Sequence, residues 1–403
     1  MWNNRNFWIL MVNEAIAGLA LWFGLIGNLE FLQQNVPSDF LKACLLMTAA
    51  FVAVLFGPLA GKVVDRTEKR KVLFVSGFAR IVAVGSMLIA LQTDSVWWML
   101  GYTMMVGAAS AFYFPALQSL LPMIIKEEHL TSANGFHMNV GTVSRILGTA
   151  AGGVLLVSVS LQSLYLLALV LYVLMQFTPM LLQVEEKIER VPDKSGKKQS
   201  TQFKDVLPII TGSPVIVMAL LLTLAPSIFI GSFNLMVIAV SEIQQDPTVK
   251  GVLYTVEGLS FMVGAFLARR AAKGRNLLNL LVFCSLMIGV ATLALYPAEM
   301  KWAPIFAFGL FGISAGVLYP LVATLFQTTV PKEYHGRFFS FRGMMDRVLF
   351  QVFMLLTGLF LDTIGFKPMI LLFAAVAFFF ALRYSWLQLR SPIAYDGHKQ
   401  KAA

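Results

Sequence analysis

Residues 184–206 read Val184-Glu-Glu-Lys-Ile-Glu-Arg-Val-Pro-Asp-Lys-Ser-Gly-Lys-Lys-Gln-Ser-Thr-Gln-Phe-Lys-Asp-Val206, the longest polar stretch in the chain. Its Lys, Glu, Ser and Pro content describes a solvated linker that buries nothing. To either side the sequence is apolar in long runs. Before the linker they fall at about 7–32, 41–63, 72–91, 96–125, 130–157 and 163–184. After it they fall at about 213–240, 251–268, 277–296, 302–327, 337–361 and 368–389. Strand-like alternation is missing, and runs of this length satisfy their backbone in lipid only as helices. The reading is an all-α polytopic membrane protein with twelve transmembrane helices in two pseudo-symmetric six-helix bundles. Its parts are an N-terminal bundle (1–183), a cytoplasmic linker (184–206), a C-terminal bundle (207–389) and a cytoplasmic tail (390–403).

Composition agrees. Of 403 residues 58% are hydrophobic and 13% charged, against about 45–50% and about 25% in soluble domains. Folded as a soluble enzyme or secreted scaffold, this chain would expose apolar surface everywhere. Cys44 and Cys284 lie far apart inside apolar runs and read as packed thiols, not a disulfide. Only six residues precede the first apolar run, so no cleaved signal peptide is expected.

The net charge of +10 has a topological origin. Of the 31 basic residues, 22 fall on one side of the spans: the N-terminus, five loops and the tail. The other side holds Lys42, Lys250, Lys301 and Lys367, and five more lie within spans: Arg80, Arg145, Arg342, Arg347 and Arg383. The positive-inside rule then puts both termini in the cytoplasm. The basic excess is therefore no nucleic-acid signal, although it attracts anionic lipid headgroups.

The halves echo one another. Gly57-Pro-Leu-Ala-Gly-Lys-Val-Val-Asp-Arg-Thr-Glu-Lys-Arg-Lys71, between spans two and three, lies where Gly264-Ala-Phe-Leu-Ala-Arg-Arg-Ala-Ala-Lys-Gly-Arg275 joins spans eight and nine. A basic turn recurring at one place in each half indicates a duplicated bundle, the plan of an alternating-access transporter.

Within the first copy, Gly61-Lys-Val-Val-Asp65-Arg66-Thr-Glu-Lys69-Arg70-Lys71 resembles the signature loop of the major facilitator superfamily. Two stretches, Phe114-Pro-Ala-Leu-Gln-Ser-Leu-Leu-Pro122 and Glu127-Glu-His-Leu-Thr-Ser-Ala-Asn-Gly135, look like its macrolide-efflux and enterobactin-exporter group of proton-driven permeases. So do Val330-Pro-Lys-Glu-Tyr-His-Gly-Arg-Phe-Phe-Ser340 and Gly358-Leu-Phe-Leu-Asp-Thr-Ile-Gly365. The resemblance implies that Gly61, Asp65, Arg66, Lys69 and Arg70 form a conformational-switch loop gripping a helix in one state and releasing it in the other. From the residues alone, Gly61 permits a tight approach and Asp65 can face a helix N-terminus; a plain positive-inside turn is the alternative. Two departures stand out. The fourth span, Met104-Met-Val-Gly-Ala-Ala-Ser-Ala-Phe112, lacks the arginine of many proton-coupled drug antiporters. The fifth has Gly148-Thr149-Ala-Ala-Gly152-Gly153, with Thr149 where the antiporter signature has proline.

Charges inside the spans carry the functional reading. Placing one at mid-membrane costs roughly 2.5–3.5 kcal/mol or more, so such residues face a cavity or a partner. Glu14 lies about seven residues, roughly 10 Å, into span one. Glu257 in span eight and Asp346 in span eleven are similarly placed. A buried carboxylate can bind and release protons near neutral pH, which makes these three the proton-coupling candidates; a permanent ion pair, for instance with Arg145, is the alternative. Arg342 and Asp346, four apart, share a face and can neutralise each other. Arg347 points about 100° away and needs another partner or an anionic substrate group. Arg145, Arg342, Arg347, Phe112, Tyr113 and Tyr319 are accordingly the substrate-cavity candidates. Glu30 and Arg383 are expected to snorkel from span ends, and Arg80 to be structural. The four histidines show no metal-ligand spacing and no GxxxxGK[ST] loop occurs, so neither metal, nucleotide nor other cofactor is expected.

These observations predict a transporter, not an enzyme: a secondary active exporter of small amphipathic, drug- or macrolide-like compounds. Proton antiport drives it, with protons, membrane lipids and a small-molecule substrate as partners, and the resemblance implies a monomer. The alternatives are an exporter of a zwitterionic or anionic metabolite, siderophore or lipid, and a non-transporting membrane sensor or assembly partner.

Overall fold

The computed structural model describes residues 2–126, 129–184, 207–273, 275–331 and 334–390; the linker beyond Val184 and the tail beyond Arg390 lie outside them. The spanning helices are α1 (Arg5–Asn35), α2 (Asp39–Arg66), α3 (Lys69–Thr93), α4 (Val96–Ile124), α5 (Leu130–Ser158) and α6 (Leu161–Leu181). After a short helix, Leu207–Thr211, come α7 (Pro214–Gln244), α8 (Thr248–Ala272), α9 (Leu277–Leu293), α10 (Trp302–Thr329), α11 (His335–Thr363) and α12 (Phe366–Arg390). Among the described residues eleven helices are long and apolar enough to cross a membrane. The twelfth, α9, is apolar over 17 residues and continues in turns to Tyr296.

Local chemistry sets the helix ends. The side chains of Asn4, Ser38, Ser160, Ser213 and Asn276 accept from the first-turn amides of α1, α2, α6, α7 and α9. Gly365 takes φ +80° between α11 and α12, a conformation that favours glycine. The helix of α7 breaks at Thr223. Pro226, with no N–H, cannot bond back to the Leu222 carbonyl. That carbonyl accepts instead from Ser285 Oγ of α9 at 3.4 Å.

The chain forms two compact units: α1–α6 together with Asp246–Thr255, and α7 to Gln245 followed by residues from Val256 onward. In the first unit α3 packs on α4 and α6, α2 on α4, and α1 on α5 and α6. In the second, α9 packs on α10 and α12, and α7 on α11. Each second-unit pairing is a first-unit pairing six helices on, as duplication requires. Glycines mediate close crossings in both. A Cβ on Gly107 of α4 would lie 2.9 Å from Ala49 Cα of α2, and one on Gly312 of α10 would lie 2.6 Å from the Glu257 carbonyl of α8. Gly107→Val should therefore push α4 off α2, destabilising the protein by about 1–3 kcal/mol or more. A lowered unfolding midpoint in detergent checks this; an unchanged midpoint would mean the crossing is looser than described.

Candidate functional site

The first unit buries a polar cluster in its apolar interior. Asn13 and Glu14 supply it from α1, Arg80 from α3, Tyr113 from α4, His137 from α5 and Thr178 from α6. Glu14 is 8% exposed and Tyr113 is 1% exposed. The Tyr113 hydroxyl donates to Glu14 Oε2 at 3.0 Å and accepts from Asn13 Nδ2 at 2.7 Å. Thr178 Oγ1 donates to Asn13 Oδ1. Glu14 Oε1 faces His137 Nε2 at 3.7 Å. The carboxylate thus has one oxygen committed to a hydrogen bond and one directed at a titratable ring.

Arg80 completes the cluster. Its guanidinium lies 4.3 Å from the centre of the Tyr113 ring and 5.9 Å from that of Tyr172. It reaches Ser110 Oγ at 3.4 Å and Met175 Sδ at 4.0 Å, while Nε has no hydrogen-bond partner. Among the described residues no carboxylate pairs with it directly. A buried cation in that setting is stabilised by ring faces and by the Glu14 charge on the far end of Tyr113. Arg80, expected to be structural, lies beside the cluster against Tyr113.

Of the other candidates in this unit, Arg145 lies 5.9 Å from the centre of the Trp22 ring. Trp22 lines a cavity of about 200 Å³ with Leu25, Asn28, Tyr102, Thr103 and Val106. Phe112 lines a different groove, with Val63, Val75 and Met105, so the adjacent candidates Phe112 and Tyr113 diverge. Three expectations need correction. Glu30 does not snorkel: it is 8% exposed, accepts from Gln34 Nε2 at 2.7 Å and pairs with Lys250 Nζ at 2.8 Å. Lys250, assigned to a loop, is wholly buried in the first turn of α8. Gly61 makes no tight approach; a Cβ there would meet open space. Gly61 to Arg66 continue α2 as helix, leaving Thr67 and Glu68 as the link to α3. Asp65 and Arg66 are exposed, Arg70 donates to the Leu182 carbonyl at 2.6 Å, and Lys69 opens α3. The Lys71 ammonium, 2.9 Å away, holds the Glu68 carboxyl below the usual carboxylate range.

In the second unit Glu257 is 7% exposed. Arg342 Nε pairs with Asp346 Oδ2 at 3.5 Å, one turn apart as their spacing predicts, and lies 4.6 Å from the Phe326 ring centre. Tyr319 is half-buried beside Phe261 and within electrostatic reach of Glu257, Arg342 and Asp346. Arg347 is exposed on the neighbouring face. Both cysteines are free thiols, and no group of three potential metal-ligating side chains occurs among the described residues.

Residues 10–350 match the Major Facilitator Superfamily. The chain belongs to this family. Macrolide efflux protein A of Streptococcus pyogenes is 22% identical over 377 residues, 90% of this chain and 89% of that protein. Lysophospholipid transporter LplT of Serratia proteamaculans is 31% identical over 132 residues, 32% of this chain and 31% of that protein. In three dimensions this superfamily member resembles a bacterial homologue of the iron transporter ferroportin in its inward-facing state, with TM-score 0.74, 13% identity and coverage of 96% and 99%. The superfamily fold and the transporter class are thereby established.

His137 is the residue that sequence reading passed over. Its signal was present. His137, Gly141, Arg145, Gly148 and Gly152 recur at spacings of three and four, which put them on one face of α5. Cβ atoms on Gly141, Gly148 and Gly152 would meet Glu14, Trp22 and Ile26 of α1 respectively. A histidine at the head of that stripe faces α1 as well.

Proposed function

We propose that this superfamily member is a proton-driven exporter of small amphipathic organic compounds, with Glu14 as a proton-binding group. The observation that carries the reading is a carboxylate buried in a spanning helix, one oxygen hydrogen-bonded and the other beside an imidazole. An unpaired charge in that position is costly, and alternate proton loading and release gives it a use. The chain operates as a monomer in the cell membrane with both termini in the cytoplasm, the side favoured by its basic loops. Glu257 and Asp346 are further proton-coupling candidates, and Gly61 to Arg70 the candidate switch region. Similarity to a macrolide efflux protein across nine-tenths of the chain supports outward transport of bulky organic compounds. Everted vesicles containing the protein should accumulate labelled erythromycin when acidified inside, and accumulation should collapse when nigericin dissipates the gradient. Uptake that ignores the gradient would remove proton coupling.

A second reading, export of an anionic or zwitterionic amphiphile, is favoured by Arg145 above Trp22 beside the apolar cavity. The partial similarity to a lysophospholipid transporter points the same way. Under it, Arg145→Gln lowers transport of lysophosphatidylethanolamine at least about tenfold, the loss of one charge-assisted contact worth about 1.5–3 kcal/mol, and leaves erythromycin uptake unchanged. Equal losses for both compounds would argue against that cargo.

A further inference from the structure

We propose that Glu14 and His137 form a two-member proton site in which Oε1 and Nε2 share one proton. The inference rests on the proton-coupled reading above and specifies its carrier. Nε2 of His137 is buried and has no hydrogen-bond partner, and it stands 3.7 Å from Glu14 Oε1. A hydrogen bond closes at about 2.7–3.2 Å, so a small adjustment joins the two atoms. The other carboxylate oxygen already accepts from Tyr113. Oε1 is therefore the atom left to exchange a proton. A Cβ on Gly141, one turn beyond His137, would lie 3.9 Å from Oε1, an ordinary contact, so α5 runs close beside this oxygen.

The surrounding groups are fixed donors or cations. From α4, Tyr113 donates to Oε2; from α6, Thr178 acts through Asn13. From α3, Arg80 lies against the Tyr113 ring, and on α5 Arg145 lies two turns beyond His137, over Trp22. Unloaded, the pair is a neutral imidazole beside a carboxylate, carrying one negative charge. Loading adds one proton to Nε2 or Oε1 and brings the pair to net neutrality, and the proton passes between the two atoms without changing that total. Two proton-binding atoms 3.7 Å apart act as one site, so altering one changes how the other is loaded.

The test is the pH profile of gradient-driven erythromycin uptake into everted vesicles. The pH difference is held constant while ambient pH is varied over about 5.5–8.5, and exchange of labelled for unlabelled erythromycin at equal pH is the control. His137→Gln should displace the profile by about one pH unit or more and leave exchange within about twofold of wild type. His137→Lys, which fixes a cation beside Glu14, should abolish gradient-driven uptake while exchange persists. A glutamine profile superimposed on a gradient-driven wild-type profile would overturn the pair and leave Glu14 as sole carrier. Loss of exchange in both variants at normal protein levels would place His137 in substrate binding and overturn the pair too. Wild-type uptake indifferent to the gradient would remove the proton-coupled reading and the pair with it.

Discussion

Vesicles carrying Glu14→Gln should accumulate no more erythromycin with an acid interior than without one, while exchange at equal pH continues. Glutamine keeps the shape of the side chain and an oxygen that accepts from Tyr113, so the links to Asn13 and Thr178 survive. What disappears is the ability to take up and release a proton beside His137. A variant fixed in the neutral form lacks the charged state that proton release restores, and accumulation has no source of free energy. Tyr113 belongs to the apolar core that also holds Phe7, Leu10, Met11 and Leu117, so removing the charge relieves a desolvation cost and should leave stability intact or raised. Normal folding with coupling lost separates a proton site from a structural ion pair. A structural pair would show reduced stability and unchanged coupling.

Lys250→Met should produce the largest stability loss. Lys250 is wholly buried in the first turn of α8, where the helix dipole disfavours a cation. The Glu30 carboxylate offsets that cost from 2.8 Å. Removing Lys250 leaves the buried Glu30 charge with only the Gln34 amide beside it, and breaking one partner of a buried pair costs about 3–5 kcal/mol. Combining it with Glu30→Gln should recover most of that loss, because no buried charge remains. Unfolding midpoints of the two single variants and the double variant form the cycle that measures the coupling. Additive single-variant losses would show that the pair contributes no interaction of its own.

The contrast between these two carboxylates shows where sequence reading succeeds and where it stops. The spans were legible because lipid offers the backbone no hydrogen-bond partners, so a long apolar run has a single solution. The pairing Arg342–Asp346 was legible because it is local to one helix. Glu30 was misjudged because its partner lies 220 residues away, and its distance from a span end is compatible with snorkelling and burial alike. Gly61 was misjudged because a glycine in a basic stretch suggests a tight turn, whereas α2 runs straight through it to Arg66. Glu14 was identified by its depth, but its surroundings come from α3, α4, α5 and α6, and no local pattern on α1 specifies them. The break at Thr223 was in principle readable from Pro226, since a proline always orphans the carbonyl four residues back.

The central claim is that Glu14 carries the proton that is exchanged for substrate. The direct measurement is proton release when the compound accumulated in the vesicle assay is added to purified protein in weakly buffered detergent solution near neutral pH. Wild type should acidify the solution in proportion to the binding sites filled, and Glu14→Gln should bind the compound without acidification. Undiminished proton release from Glu14→Gln would contradict the claim.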